Sequence, residues 1–263
     1  MRNDQLAEAA ARVISARLGG HKLQRLPEEL GVRGLEDAYA VQLAANAELE
    51  AALGPRVGHK IGGTTESMRK YLNVPEPLGG ETFKKGLLQD GATLRIADYR
   101  RPGVETEIAV RMAKPLPSRP DPYTREEVVA AIGALMPAIE LVDDRYEEFA
   151  KIGAATIIAD NAFNAANIVG TERTDWQALD LPKLRAWTYK NGALVGEGTA
   201  DALYGDPIEA LRWLANRLSS LGRGLEAGTF VSLGSITAVQ WVDEPARYRI
   251  EVEGLGSLEV AYA

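Results

Sequence analysis

Cysteine is absent from the 263 residues, which excludes disulfides, thiolate nucleophiles and zinc–sulfur sites. Histidine is almost absent too: with only His21 and His59, a histidine-rich metal site cannot be built. No Lys/Arg-rich run interrupts a chain of formal net charge -7, so the electrostatic footprint of a nucleic-acid or acidic-membrane binder is missing. No apolar stretch approaches membrane-spanning length, and the start, Met1-Arg2-Asn3-Asp4-Gln5, lacks the apolar core of a signal peptide. A cytoplasmic protein that handles small molecules is expected. The hydrophobic fraction of 46% suits one compact globular unit, with a helical N-terminal lobe over residues 1–55 and a mainly β catalytic part over 56–263.

What the chain does have is carboxylate in unusual places. Val104, Thr106, Ile108, Val110 and Met112 alternate with Glu105, Glu107, Ala109 and Arg111, which is the period of a strand. Side chains two apart leave a strand on the same face, so Glu105 and Glu107 repel each other unless something positive lies between them. Glu140 is the sole charge in the run Ala134 to Val142; the run favours burial while the carboxylate needs water or a partner. A hard divalent cation, Mg²⁺ or Mn²⁺, held by all three would resolve both conflicts. The competing readings are a solvated strand face for Glu105 and Glu107 and a buried ion pair of Glu140 with Arg145 or Arg111.

Helical spacing predicts helices over 4–18 and 35–53, the second ending at Gly54-Pro55. Val57 to Thr65 reads as a short strand running into a Gly-rich turn, followed by a helix over 66–72. The Pro- and Gly-rich segment 73–90 reads as a loop able to cover a site. A helix over 125–133, capped by Thr124 with Glu127 in the box position, separates the two carboxylate strands. A helix or turn and then a strand are expected over 152–169, and Asn191-Gly192 signals a hairpin between 184–190 and 193–197. Asp206-Pro207 opens a helix to residue 221, and three strands follow at 230–233, 248–253 and 257–262.

Six motifs in this order and register resemble one family: Gly58-His59-Lys60-Ile61-Gly62-Gly63-Thr64, Val104 to Ile108, Ala138 to Asp143, Ala159-Asp160-Asn161-Ala162, Trp213 to Asn216, and Gly234-Ser235-Ile236-Thr237. From about residue 5 to the C-terminus the chain is similar to the 2-oxopent-4-enoate hydratase and 4-oxalocrotonate decarboxylase group of the fumarylacetoacetate hydrolase superfamily. The resemblance implies an α+β fold, a mixed β-roll with a small helical N-terminal lobe. It also implies Mg²⁺ or Mn²⁺ on Glu105, Glu107 and Glu140, an active-site lysine at Lys60, and 2-hydroxydienoate or 2-oxoenoate substrates from aromatic-compound breakdown. Homo-oligomers are implied, and a complex with a related pathway enzyme is a further option for the group. Two departures stand out. Hydratases of the group usually carry an acid after the lysine motif where this chain has Leu78, and Phe163, Asn164 and Ala165 stand where small hydroxyl residues and glycine follow Asp-Asn-Ala or Asp-Asn-Ser in the group.

A 2-oxo acid chelates a metal through its carboxylate and 2-oxo oxygen, and the metal steadies the enolate common to hydration and decarboxylation. The first expectation is a metal-dependent hydratase; the alternatives are a decarboxylase, favoured by Leu78, and a catalytically weak 2-oxo acid-binding homologue or partner subunit. Lys60 is expected to bind the substrate carboxylate, or to act as acid or base if burial lowers its pKa; a surface pairing with His59 is the plain alternative. Asp160 is a candidate catalytic acid or half of a turn with Asn161, and Glu81 is the nearest acid able to replace the one missing at Leu78. Leu78, Asn161, Phe163, Asn164, Ser235 and Thr237 are expected to line the substrate site.

Overall fold

The computed structural model describes all 263 residues. Two helices, α1 (Asn3–Gly19) and α2 (Leu35–Leu53), precede β1 (Arg56–Gly62), α3 (Glu66–Leu72), β2 (Leu78–Phe83), β3 (Leu87–Leu88) and β4 (Ala92–Leu94). The long strands β5 (Pro102–Met112) and β6 (Ile132–Asp143) flank α4 (Arg125–Ala131). After them come α5 (Phe149–Ile152), α6 (Ala154–Ala159), β7 (Asn164–Val169), β8 (Arg185–Lys190), β9 (Ala193–Thr199) and α7 (Pro207–Ser220). The chain closes with β10 (Phe230–Ser235), β11 (Gln240–Trp241), β12 (Ala246–Val252) and β13 (Gly256–Tyr262).

One sheet runs β2-β1-β10-β5-β6-β7-β3 with β11 beside β5, and a second runs β4-β13-β12-β8-β9. The α+β architecture is mixed in sense: β1 and β10, β3 and β7, and β4 and β13 are parallel, the other pairs antiparallel. Local signals act as the sequence suggests. Thr124 and Glu127 form both halves of a capping box on α4, Asp206 accepts the Ile208 N–H at the start of α7, and Asn191 and Gly192 take the positive φ values that a tight hairpin requires.

A core of 40 buried side chains joins the two sheets and α7. A second, of 19, packs α1 and α2 against Leu78, Tyr146, Ile157, Ile158 and Ala162. The helical lobe therefore buries its apolar face against residues far beyond position 55, and its position is tied to the strands behind it.

The segment 73–90 differs from expectation. It contains β2, buried at every position, paired antiparallel with β1. Proline and glycine there start the strand and let it pass close to its neighbours: a Cβ on Gly80 would lie 3.1 Å from both Asn161 and Lys60. The turn signal reflects crowding.

Candidate metal centre

The longest ladder in the molecule pairs β5 with β6 and sets Glu105 directly opposite Glu140. Glu107, two residues along β5, shares the face of Glu105, and one oxygen from each of the three carboxylates falls within 4.8 Å of the others. β5 lies between β10 and β6, so neither of its hydrogen-bonding edges is open. Glu107 and Glu140 are wholly buried and Glu105 is half-buried, so the solvated-face reading fails.

Each buried carboxylate has one oxygen occupied by the protein. The Ser232 hydroxyl and the Gly234 N–H, at 3.1 Å, donate to Glu107 Oε2, and Asn164 Nδ2 donates to Glu140 Oε1 at 3.0 Å. Glu107 Oε1 is left buried without a partner, and Glu140 Oε2 has no hydrogen bond and faces Lys60 Nζ at 3.2 Å. Orphaned oxygens on two of three carboxylates that each bring an oxygen within 4.8 Å of the others fit a hard divalent cation. The ion partner of Glu140 is thus Lys60; Arg145 pairs with Asp160 and Arg111 with Glu172.

Burial, then repulsion from Glu140, pushes the Glu105 carboxyl up to about 7 and Glu107 well above the usual carboxylate range. For Lys60 the largest influence, burial, lowers the pKa, but the summed field of Glu140, Glu105 and Glu107 outweighs it and the ammonium is held above its ordinary value. In the cation-free protein, burial does not turn Lys60 into a neutral base.

A pH dependence follows with a definite sign. A carboxyl raised in the fold favours the protonated folded form, so cation-free stability declines as pH rises from the unfolded carboxyl value, about 4.3, through about 7. A cation must displace these protons. The thermal shift produced by Mn²⁺ should therefore be larger at pH 8 than at pH 5.5; scanning fluorimetry giving equal shifts at both would contradict this protonation scheme.

Lys60 also donates to the Ala162 carbonyl at 2.8 Å. That carbonyl is delivered by three successive non-glycine residues in the left-handed region, Asn161, Ala162 and Phe163, with φ of 63°, 48° and 69°. Such residues cost on the order of 1 kcal/mol or more each, and Asn161 offsets the strain. Its Oδ1 accepts from the Glu81 N–H at 2.7 Å and from Asn46 Nδ2 at 3.2 Å, and its Nδ2 donates to the Glu81 carbonyl. Asn161 thereby holds the turn that positions Lys60.

Several expected roles change. Asp160 is a buried counter-ion, 2.8 Å from Arg145 and 3.6 Å from Arg17. Its partners are guanidiniums, not the triad. Glu81 lies 2.6 Å from Arg223 and 3.3 Å from Arg56; burial raises its pKa, but Arg223 and its other partners more than reverse this, keeping it below the usual range. An acid held ionised in this way cannot donate the missing proton.

Asn164 bonds Glu140 instead of lining open space. Phe163 stacks edge-on against Tyr146 and Phe149, at 4.9 and 5.0 Å between ring centres. The Thr237 hydroxyl, 3.0 Å from Thr188, continues a buried hydroxyl chain to Thr106, on the face of β5 opposite the glutamates. Ser235 does sit beside the site, paired with Glu107 across β10 and β5, and donates to the Thr237 carbonyl. Leu78, 2% exposed, lies opposite Gly62 and packs into the core of the helical lobe. Sequence reasoning missed Ser232 and Asn46. The first had a signal, since Ser232 is the only polar side chain in Phe230 to Gly234.

4-Oxalocrotonate decarboxylase of Pseudomonas putida is 29% identical over 262 residues, covering 100% of this chain and 98% of the relative. 2-Hydroxyhexa-2,4-dienoate hydratase of Comamonas testosteroni is 34% identical over 231 residues, covering 87% and 86%. The solved structure of 4-oxalocrotonate decarboxylase from Pseudomonas putida G7, complexed with magnesium and adipate, superposes with a TM-score of 0.93 at 29% identity, covering 100% of this chain and 99% of that one. The fumarylacetoacetate (FAA) hydrolase C-terminal family matches residues 49–261. With the β-roll in place and the three glutamates gathered on its longest ladder, the chain belongs to the fumarylacetoacetate hydrolase family.

Proposed function

We propose that this protein is a divalent-cation-dependent decarboxylase of an unsaturated 2-oxo acid of the 4-oxalocrotonate type, acting in aromatic-compound catabolism. The observation that carries the reading is that a leucine, not an acid, is paired with Gly62 at the end of the lysine strand. Leu78 occupies the position beside Gly62, and the nearest acids are committed: Glu81 to Arg56 and Arg223, Glu76 to Arg217 and Trp213. Adding water across a double bond needs a group to activate that water. Losing CO₂ from a conjugated 2-oxo acid does not, because the electrons of the breaking bond move through the conjugated system to the 2-oxo oxygen.

Glu105, Glu107 and Glu140 would hold Mg²⁺ or Mn²⁺, which when bound supplies Lewis-acid stabilisation of the charge developing on the 2-oxo oxygen. Ser232, Gly234 and Asn164 orient two of these carboxylates before any ligand arrives. Lys60, held cationic, attracts the anionic substrate and donates the proton that converts the dienolate into its enol. The C5–C6 bond breaks, CO₂ leaves from C6, and the electron pair forms C4=C5 as C2=C3 replaces C3=C4. One proton is consumed at the 2-oxo oxygen. Leu78 and the buried packing beside it keep water from the dienolate.

A second reading, hydration of a 2-hydroxydienoate, is favoured by the relative at 34% identity being named a hydratase. The two are separated by incubating the metal-loaded protein with 4-oxalocrotonate and with 2-hydroxypenta-2,4-dienoate. CO₂ release from the first without ultraviolet loss of the second is expected; dienol consumption without CO₂ would establish hydration instead. A homo-oligomer is also proposed. The unpaired edge of β9 exposes Leu194 and Val195, at 52% and 39%, and light scattering giving a monomer's mass would refute it.

A further inference from the structure

The turn joining β1 to α3 touches the site twice. A Cβ on Gly62 would come 3.3 Å from Lys60 Nζ, and a Cβ on Gly234, whose N–H binds Glu107, would meet the Thr64 side chain at 2.7 Å. Arg69 on α3 closes over this turn: its Nη1 donates to the carbonyls of Gly63, at 3.3 Å, and Thr64. The guanidinium rests 4.8 Å from the centre of the Tyr204 ring.

Arg69 is half-buried, yet no carboxylate lies within ion-pair distance of it. Every other well-buried guanidinium near the site has an acid: Arg17 and Arg145 have Asp160, and Arg217 has Glu76. The acid on its own helix, Glu66, is paired with Lys70 at 2.6 Å. Arg69 bonds within the protein through Nη1 alone, leaving Nε and Nη2 without partners, so one edge of a permanently charged, planar donor fork is free beside the turn that follows Lys60. A half-buried cation without a counter-ion is costly to keep and gains most from a ligand that brings the missing charge.

We propose that Arg69 is a specificity-determining residue that receives the distal carboxylate of the substrate, making the site selective for dicarboxylic over monocarboxylic 2-oxo acids. The inference rests on the 2-oxo acid reading above, in which the distal carboxylate is the one lost as CO₂, so Arg69 acts by selecting and orienting that group before the C5–C6 bond breaks. Its geometric basis is separate: Gly62 brings the chain to within reach of Lys60 Nζ, and Arg69 holds the carbonyls of the next two residues, Gly63 and Thr64, so the ammonium and the second cation are attached to the same short turn. Lysine would supply charge without the fork, and an uncharged residue would supply neither.

The test is equilibrium binding, which does not need turnover. Magnesium-loaded wild type, Arg69→Gln and Arg69→Lys are titrated calorimetrically with 2-oxoadipate and with 2-oxohexanoate, saturated acids that differ only in the distal carboxylate. Wild type should prefer 2-oxoadipate by on the order of tenfold or more, the scale of one charge-assisted hydrogen-bonded contact. Arg69→Gln should lose that preference while 2-oxohexanoate affinity stays within about twofold, and Arg69→Lys should retain part of it. Equal weakening for both acids in Arg69→Gln would show that Arg69 only holds the turn and would overturn the proposal. So would the absence of a preference in wild type, or a preference unchanged in the variant. Failure of the decarboxylase reading shows separately, as missing CO₂ release with the preference intact.

Discussion

Glu107→Ala and Glu140→Ala should each weaken divalent-cation binding by about a hundredfold or more, beyond the ten- to hundredfold typical of losing an outer-shell partner alone. Isothermal titration with Mn²⁺ measures it, and unchanged affinity in both variants would remove the metal site. The two should differ sharply in cation-free stability. Glu107 is forced towards its protonated form by burial and by its neighbours, so replacing it relieves repulsion and should leave the melting temperature level or higher. Glu140 is the closest acid to the Lys60 ammonium, at 3.2 Å. Removing it leaves a buried cation unmatched, a loss of about 3–5 kcal/mol, which lowers the melting temperature by roughly 6–20 °C in a chain of this size. Opposite stability effects with a shared loss of metal binding would distinguish ligand removal from general damage.

Lys60→Met should lower turnover by about 10²–10⁴, the range of a positioned proton donor, while tightening metal binding. The second half is the stringent part. Glu140 Oε2 faces Lys60 and also belongs to the three-carboxylate group, so ammonium and metal draw on the same negative charge. Taking away the ammonium removes a like-charged neighbour of the metal and leaves Glu140 free to bind it. Steady-state kinetics and calorimetry on one preparation report both quantities. A fall in metal affinity on Lys60→Met would show that Lys60 orders the glutamates instead of competing for them.

The residues of the triad are legible in the amino-acid sequence because each breaks a local pattern. Glu105 and Glu107 stand two apart in a mainly apolar strand, and Glu140 is the lone charge in its run; period and burial then dictate a shared face and an unmet carboxylate. Roles are less legible than positions. Asp160 and Glu81 look in sequence like free acids close to glycine-rich turns, and both are neutralised by arginines far away along the chain: Arg17 and Arg145 for one, Arg223 and Arg56 for the other. Thr237 lies on the wrong face of β5 for a substrate because the Thr106–Thr188 hydroxyl chain reaches it from the second sheet.

By itself, then, the sequence determined most of the helices and strands, though not those within 73–90, which acids share a face on β5, and that no sulfur or histidine site competes with them; these are matters of local period and residue chemistry. Only the tertiary structure decided that Glu105 meets Glu140, that Lys60 and the Ala162 carbonyl converge behind them, and which acids remain free to act. The physical reason is that ladder register and ion pairing depend on which remote segments are brought within a few ångströms, where one buried charge can neutralise another. No spacing within a strand encodes that. The carboxylates were set by the local code, and their chemistry by the arginines, asparagines and lysine that the β-roll folds against them.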